Sequence, residues 1–174
     1  VLVSEGFEAD DVIGTLAVKG AAAGLDVVIV TGDKDFYQLV GPRIRVFNPR
    51  DEGTWYDETG VVEKFGVPPR QVIDVLALTG DAVDNVKGVP GIGEKGAREL
   101  LAQFGSLEAL LDQAATVTQK RYREALLAHP DAARLSRELV TIRTDVPVDA
   151  GMERFRYPGP SREACYPLFA ELGV

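Results

Sequence analysis

Asp26-Val27-Val28-Ile29-Val30-Thr31, followed at once by Gly32-Asp33-Lys34-Asp35, is the stretch whose reading decides the fold. An unbroken β-branched run reads as a strand buried on both faces, the habit of parallel sheets covered by helices. Gly32 ends it, and a short helix carrying Phe36, Tyr37 and Leu39 starts near Lys34. Upstream, residues 8–23 read as a helix with Ala9, Val12, Ile13 and Leu16 on one face and Gly24 as the stop. Downstream, Arg43 to Phe47 alternates polar and apolar as a second strand closed by Asn48-Pro49, and Thr54-Trp55-Tyr56 offers a short third. From Glu58 the pattern is helical: a helix opened by Pro68 or Pro69, one over about 94–104 ended by Gly105, and another capped by Ser106. Further helices are predicted near 117–128, 131–142 and 161–172, with Val146-Pro147-Val148 extended. Strands first and helices after imply an α/β part over 1–86, with a mostly parallel sheet and flanking helices, and a helical part over 87–174.

The 174 residues, 45% of them hydrophobic, are enough for one compact core. No apolar run approaches the ~20 residues of a membrane span, and no signal peptide is visible. The chain begins at Val1, and Val1-Leu2-Val3 reads as the end of a strand, so a piece of something longer is expected. Cys165 stands alone, which excludes an internal disulfide and fits a reducing compartment. The single histidine, His129 before Pro130, reads as a helix-end residue and disfavours His-based triads. The net charge of −8 is uneven. Residues 1–86 hold 7 Lys/Arg against 15 Asp/Glu, residues 87–143 hold 9 against 7, and residues 144–174 hold 3 against 5. The acid excess therefore lies in the α/β part. An ordinary acidic surface gives the same balance, so charge alone does not decide.

Seven carboxylates fall in three clusters: Glu8, Asp10 and Asp11; Asp33 and Asp35; Asp81 and Asp84. Taken singly, each has a plain reading. The first complements a helix dipole, the second caps a helix, and the third forms Asx-turns. Asp33 and Asp35 follow the C-terminal end of a strand, however, where open α/β sheets place their ligands. Carboxylates gathered together repel unless cations join them. Hard oxygen ligands suit Mg²⁺ or Mn²⁺, and two such ions about 4 Å apart clamp both oxygens of an in-line phosphoryl displacement.

Just beyond the third cluster lies Gly88-Val89-Pro90-Gly91-Ile92-Gly93, then Glu94 and Lys95. Gly91-x-Gly93 alone is a weak motif. A helix on each side, Pro90 in the turn, and Lys95 with Arg98 on the exposed side of the next helix make it resemble a helix–hairpin–helix, which binds nucleic-acid backbone without reading sequence.

Gly-Phe-Glu-Ala-Asp-Asp-Val, Thr-Gly-Asp-Lys-Asp-Phe-Tyr-Gln-Leu, Leu-Thr-Gly-Asp-Ala-Val-Asp-Asn and Gly-Val-Pro-Gly-Ile-Gly-Glu-Lys resemble, in order and spacing, the 5′-nuclease domains of bacterial DNA polymerases, relatives of the flap endonucleases. The likeness spans essentially the whole chain and implies a PIN-like nuclease fold with a helix–three-turn–helix. By position it implies that Glu8, Asp10, Asp11, Asp33, Asp35, Asp81 and Asp84 are metal-site carboxylates, with Asp33, Asp35 and Asp84 catalytic. It implies that Gly88, Gly91 and Gly93, with Lys95 and Arg98, hold DNA backbone, and that the hairpin also takes a K⁺ through backbone carbonyls. The implied cofactors are two Mg²⁺ or Mn²⁺. The implied partners are DNA with a 5′ flap, nick or RNA primer, with a polymerase domain in the same polypeptide. A monomeric, cytoplasmic, nucleoid-associated bacterial protein is implied, with no membrane contact. Such domains begin with a strand and two further aspartates that are not seen before Val1. A central strand beside Val27–Val30 is therefore expected to be missing, and the 174 residues alone are expected to bind duplex but cut little. The competing reading is a non-catalytic duplex-binding module. A haloacid-dehalogenase-like phosphatase is set aside, because Tyr37 stands where that motif wants Thr or Val.

Overall fold

The computed structural model describes residues 3–148 and 151–173. Helix α1 (Ala9–Ala22) leads to strand β1 (Val27–Val30), a 3₁₀ helix (Lys34–Leu39), β2 (Ile44–Asn48) and β3 (Thr54–Tyr56). There follow α2 (Glu58–Phe65), α3 (Pro69–Thr79), α4 (Glu94–Phe104), α5 (Leu107–Asp112), α6 (Lys120–Ala128), α7 (Pro130–Leu139) and α8 (Arg162–Leu172). The order of strands then helices is the one the residues predict. Val1 and Leu2, read as a strand end, lie outside the described residues; Val3 is in no strand.

The sheet has the order β1-β2-β3, parallel between β1 and β2 (Val27 beside Ile44) and antiparallel between β2 and β3 (Val46 beside Tyr56). The expectation of a strand buried on both faces does not hold for β1. Ile29 is buried, but Val28 and Val30 are 38% and 66% exposed. They share their face with Arg45 and Trp55, and among the described residues β1 is an edge strand with that face uncovered. The opposite face, with Ile29, Ile44, Val46 and Tyr56, meets Phe36, Tyr37 and α3 in one continuous core.

Local chemistry sets the helix limits. Asp57 caps α2 through Gly60 N–H, and Ser106 caps α5 through Ala109 N–H. Gly105, at φ 84°, closes α4 in a conformation that costs glycine little. His129 sits exposed at the junction of α6 and α7. Two boundaries differ from the sequence pattern. Residues 117–119 are not helical; Val117 is buried and its carbonyl accepts from Arg123. The α7 helix stops at Leu139 rather than 142, because Gln38 donates to Val140 O (2.9 Å) and accepts from Ile142 N–H (3.1 Å).

The buried face of α1 is also rotated from the one expected. Ala9 and Ile13 are exposed, while Val12, Gly14, Thr15 and Ala17 are buried. The segment after α7 runs along this face. Thr15 Oγ1 donates to Arg143 O and accepts from Val146 N–H, and Gly14 leaves room for Ile142, which an added Cβ would meet at 2.5 Å. Among the described residues no helix is long and apolar enough to cross a membrane.

Candidate metal centre and nucleic-acid interface

The turn after β1 is built by its own side chains. Thr31 Oγ1 accepts from Asp33 N–H (3.0 Å), and Asp33 Oδ1 accepts from Asp35 N–H (2.9 Å), which starts the 3₁₀ helix and turns Asp35 inward. The second arm comes from the end of α3. Backbone bonds between Asp81 and Val86 in both directions (2.8 and 2.7 Å) close a tight loop with Asn85 at φ 56°. Asp81 Oδ1 accepts from Val83 N–H (2.9 Å). These two loops bring Asp35, Asp81 and Asp84 together, with one carboxylate oxygen from each lying within 4.8 Å of the others. Asp35 and Asp81 are buried and Asp84 is exposed.

The electrostatics record the crowding. Burial, and then the charges of Asp33, Asp81 and Asp84, push the Asp35 carboxyl up to about 7 against the opposing effect of Lys34. Burial, and then Asp33, Glu8, Asp84 and Asp11, raise Asp10, so the first cluster faces the same space. For Asp81, burial is outweighed by the Lys34 hydrogen bond and the Val83 N–H, which hold it below its ordinary value; Lys34 Nζ lies 2.7 Å from Asp81 Oδ2. Asp35 Oδ1 is buried with no hydrogen-bond partner among the described residues. A buried carboxylate oxygen without a donor is costly, and a hard cation at this point satisfies it while relieving the repulsion. The donor set therefore fits a hard divalent cation.

The seven carboxylates are not equivalent. Asp35, Asp81 and Asp84 form the tight group, and Asp10 and Asp33 border it. Glu8 and Asp11 line the same cleft, but both Asp11 oxygens are engaged, accepting from Arg143 N–H (2.8 Å) and Glu8 N–H (3.3 Å). Asp11 thus ties α1 to the segment after α7. Sequence reading passed over the other wall of the cleft, which α5 and α7 supply with Glu108, Arg134 and Arg137. The Arg134-x-x-Arg137 spacing, one helical turn, is the signal that marks it.

The hairpin forms as expected, but its glycines serve different ends. Gly88 is buried at φ 64°, and its N–H donates to Ser136 Oγ (3.2 Å). A Cβ there would lie 2.3 Å from the Gly80 nitrogen. Gly88 therefore packs two backbones together, and its amide is not open to a phosphate. Val89 and Ile92 anchor the turn in the core, leaving Pro90, Gly91 and Gly93 exposed. Gly93 precedes α4 with open space around it, and the first-turn amides of α4 are left free by helix geometry. Lys95 is 92% exposed. Arg98 departs from the expected exposed side: it is half-buried against the Gly66 turn, its Nε is buried without a partner among the described residues, and its Nη2 pairs with Glu94 (3.1 Å). Arg121, unremarked in the sequence, lies over Gly91, with Nε at 3.0 Å from where a Cβ would stand.

Two family descriptions match the chain: "5′-3′ exonuclease, N-terminal resolvase-like domain" over residues 1–66, and "5′-3′ exonuclease, C-terminal SAM fold" over residues 67–163. Similar curated proteins include DNA polymerase I of Rhizobium leguminosarum, 49% identical over 86% of this chain and 15% of that protein. DNA polymerase I of Pseudomonas aeruginosa is 48% identical over 99% and 20%, and the thermostable DNA polymerase I of Thermus aquaticus is 46% identical over 90% and 18%. The chain spans between 15% and 20% of the length of these relatives. Among solved structures, bacteriophage T5 5′-exonuclease with bound divalent zinc ions is similar at TM-score 0.74 and 27% identity, over 82% of this chain and 53% of that one. A T5 flap endonuclease complex with DNA and metal ions gives 0.73 and 26% over the same shares. The catalytic core of Rad2, at 20% identity and TM-score 0.56 over 93% of this chain and 59% of that one, shares the fold.

Proposed function

The chain belongs to the 5′-3′ exonuclease family, and from that premise we propose that it is the carboxylate-bearing and duplex-binding part of a structure-selective, divalent-metal-dependent 5′ nuclease. The observation that carries this is the meeting of Asp35, Asp81 and Asp84, one oxygen from each within 4.8 Å of the others, with Asp35 Oδ1 buried without a donor among the described residues. Asp35, Asp81 and Asp84 hold the Mg²⁺ or Mn²⁺, with Asp10 and Asp33 completing the ligand field from the first two clusters. When bound, such ions supply a hydroxide nucleophile near neutral pH and Lewis acidity toward the phosphoryl oxygens. Lys34 holds Asp81 ionised and oriented. Gly91, Gly93, Lys95 and the first turn of α4, with Arg121 beside them, position the duplex through its phosphates, and backbone carbonyls of the hairpin take a K⁺. The substrates on this reading are DNA with 5′ flaps or nicks and RNA-primer 5′ ends. The chain then acts as a monomer beside a polymerase domain at the bacterial nucleoid.

The test is cleavage of a labelled 5′-flap DNA by the complete natural polypeptide. Incision near the flap junction is expected with Mg²⁺ and none with EDTA. Duplex binding without incision in Mg²⁺ or Mn²⁺ would favour the non-catalytic binding module instead.

A further inference from the structure

The cleft beside the acidic group has a volume of about 820 Å³, and its lining carries Arg134, Arg137 and Arg143. Two of these guanidiniums are spoken for. Arg134 chelates Glu108 through Nε and Nη2 (3.1 and 3.0 Å), with Nη1 3.9 Å from Asp131. Arg143 chelates Asp145 through Nε and Nη2 (3.1 and 3.2 Å). Arg137 differs: Nε donates to Asp74 Oδ1 at 2.7 Å, and its Nη atoms have no partner among the described residues.

The anchor is unusual. Asp74 is 4% exposed, on α3, and its second oxygen accepts Leu107 N–H at 3.1 Å. A buried carboxylate bonded at both oxygens is a fixed point, so one edge of the guanidinium is locked. The Arg137 side chain nevertheless stays 42% exposed in a cleft that also holds Asp10, Asp35 and Asp84. A planar fork held by one edge presents its remaining N–H groups at little entropic cost, which suits a tetrahedral oxyanion. Opposite a group of carboxylates, such a cation also offsets the repulsion that a polyanionic strand would meet.

We propose that Arg137 binds a backbone phosphate of the substrate strand next to the bond that is cut, and that Asp74 is the positioning residue that aims it. The assignment rests on the nuclease reading and adds to it a phosphate-binding role for Arg137 that its spacing from Arg134 alone does not disclose. The seam reaches further: the adjacent Ser136 accepts Gly88 N–H, so one turn of α7 links the phosphate grip to the hairpin.

The experiment uses the complete polypeptide and a 5′-flap DNA. KM and kcat are measured with Mg²⁺, and binding is measured in EDTA across a salt series. Arg137→Gln should raise KM about tenfold and flatten the log–log salt slope of binding by about one, the signature of one lost phosphate contact. Arg137→Lys should restore the slope but only part of KM, because an ammonium lacks the fork. Since Arg137→Gln strands a buried carboxylate, Asp74→Asn with Arg137→Gln supplies a neutral hydrogen-bonded pair, and it should show the same slope loss at a wild-type thermal midpoint. A folded double variant with wild-type KM and slope would overturn the proposal while the nuclease reading stands. Wild-type protein that binds but never cuts would sink the nuclease reading, and the EDTA slope would still decide Arg137.

Discussion

Asp35 keeps a proton that an exposed aspartate gives up, because burial and three neighbouring carboxylates oppose its charge. With the folded value at about 7 and the ordinary carboxyl value at 3.8, the metal-free native state binds a proton between those pH values that the unfolded chain does not. Its stability therefore falls as pH rises through that window. Thermal midpoints in EDTA should decline accordingly, Asp35→Asn should flatten the decline, and Mg²⁺ should stabilise more above pH ~7 than below pH ~4. A pH-independent Mg²⁺ effect would contradict this assignment. Asp33→Asn with Asp35→Asn should abolish metal-dependent cleavage in the complete polypeptide and leave stability in EDTA level or higher; undiminished turnover would remove both residues from the site. On the hairpin side, Lys95→Ala should cost about one unit of salt slope with no change in melting. Arg98→Ala should also destabilise the fold by about 1 kcal/mol, because its stem packs on the Gly66 turn. Equal melting of the two variants would show that the packing of Arg98 is immaterial.

At the scale of elements, the hairpin separates two kinds of glycine that look alike in the sequence. Gly88→Ala must adopt a left-handed backbone, costing about 1–2 kcal/mol, and must also push a Cβ into the Thr79-Gly80 backbone. Gly93→Ala meets open space at φ −97°. Circular dichroism melts should show Gly88→Ala strongly destabilised and Gly93→Ala near wild type; similar melts would contradict the packing described. The hairpin was legible because glycine and proline spacing is local information. The seam between α1 and the segment after α7 was not, because it joins Asp11 and Thr15 to Arg143, 132 and 128 residues away, with no local signature. The same ignorance of distant partners explains why Ala9 and Ile13 seemed core-facing, and why α7 seemed to continue past Leu139.

Across the whole molecule, one core runs from Ala17 to Ile142 and holds the acidic loops against the helical part. Periodicity revealed the strands and helices in order. It could not reveal that Val28 and Val30 lie on an uncovered face, since a β-branched run reads the same whether one face or two is packed. The three acidic clusters were legible as types and spacings, but their convergence is a product of the fold. So is the division of labour between Asp35, Asp81 and Asp84, which meet, and Asp11, which braces the backbone. The spacing from Arg134 marks Arg137, but not its anchor Asp74, which lies on α3, 63 residues earlier in the chain. On the proposed function, this convergence is a divalent-metal centre. A crystal of the protein soaked in Mn²⁺, with data collected for anomalous scattering, tests it directly. A peak is expected at coordination distance, about 2.1 Å, from oxygens of Asp35, Asp81 and Asp84. Anomalous peaks elsewhere, with none among these three carboxylates, would contradict it.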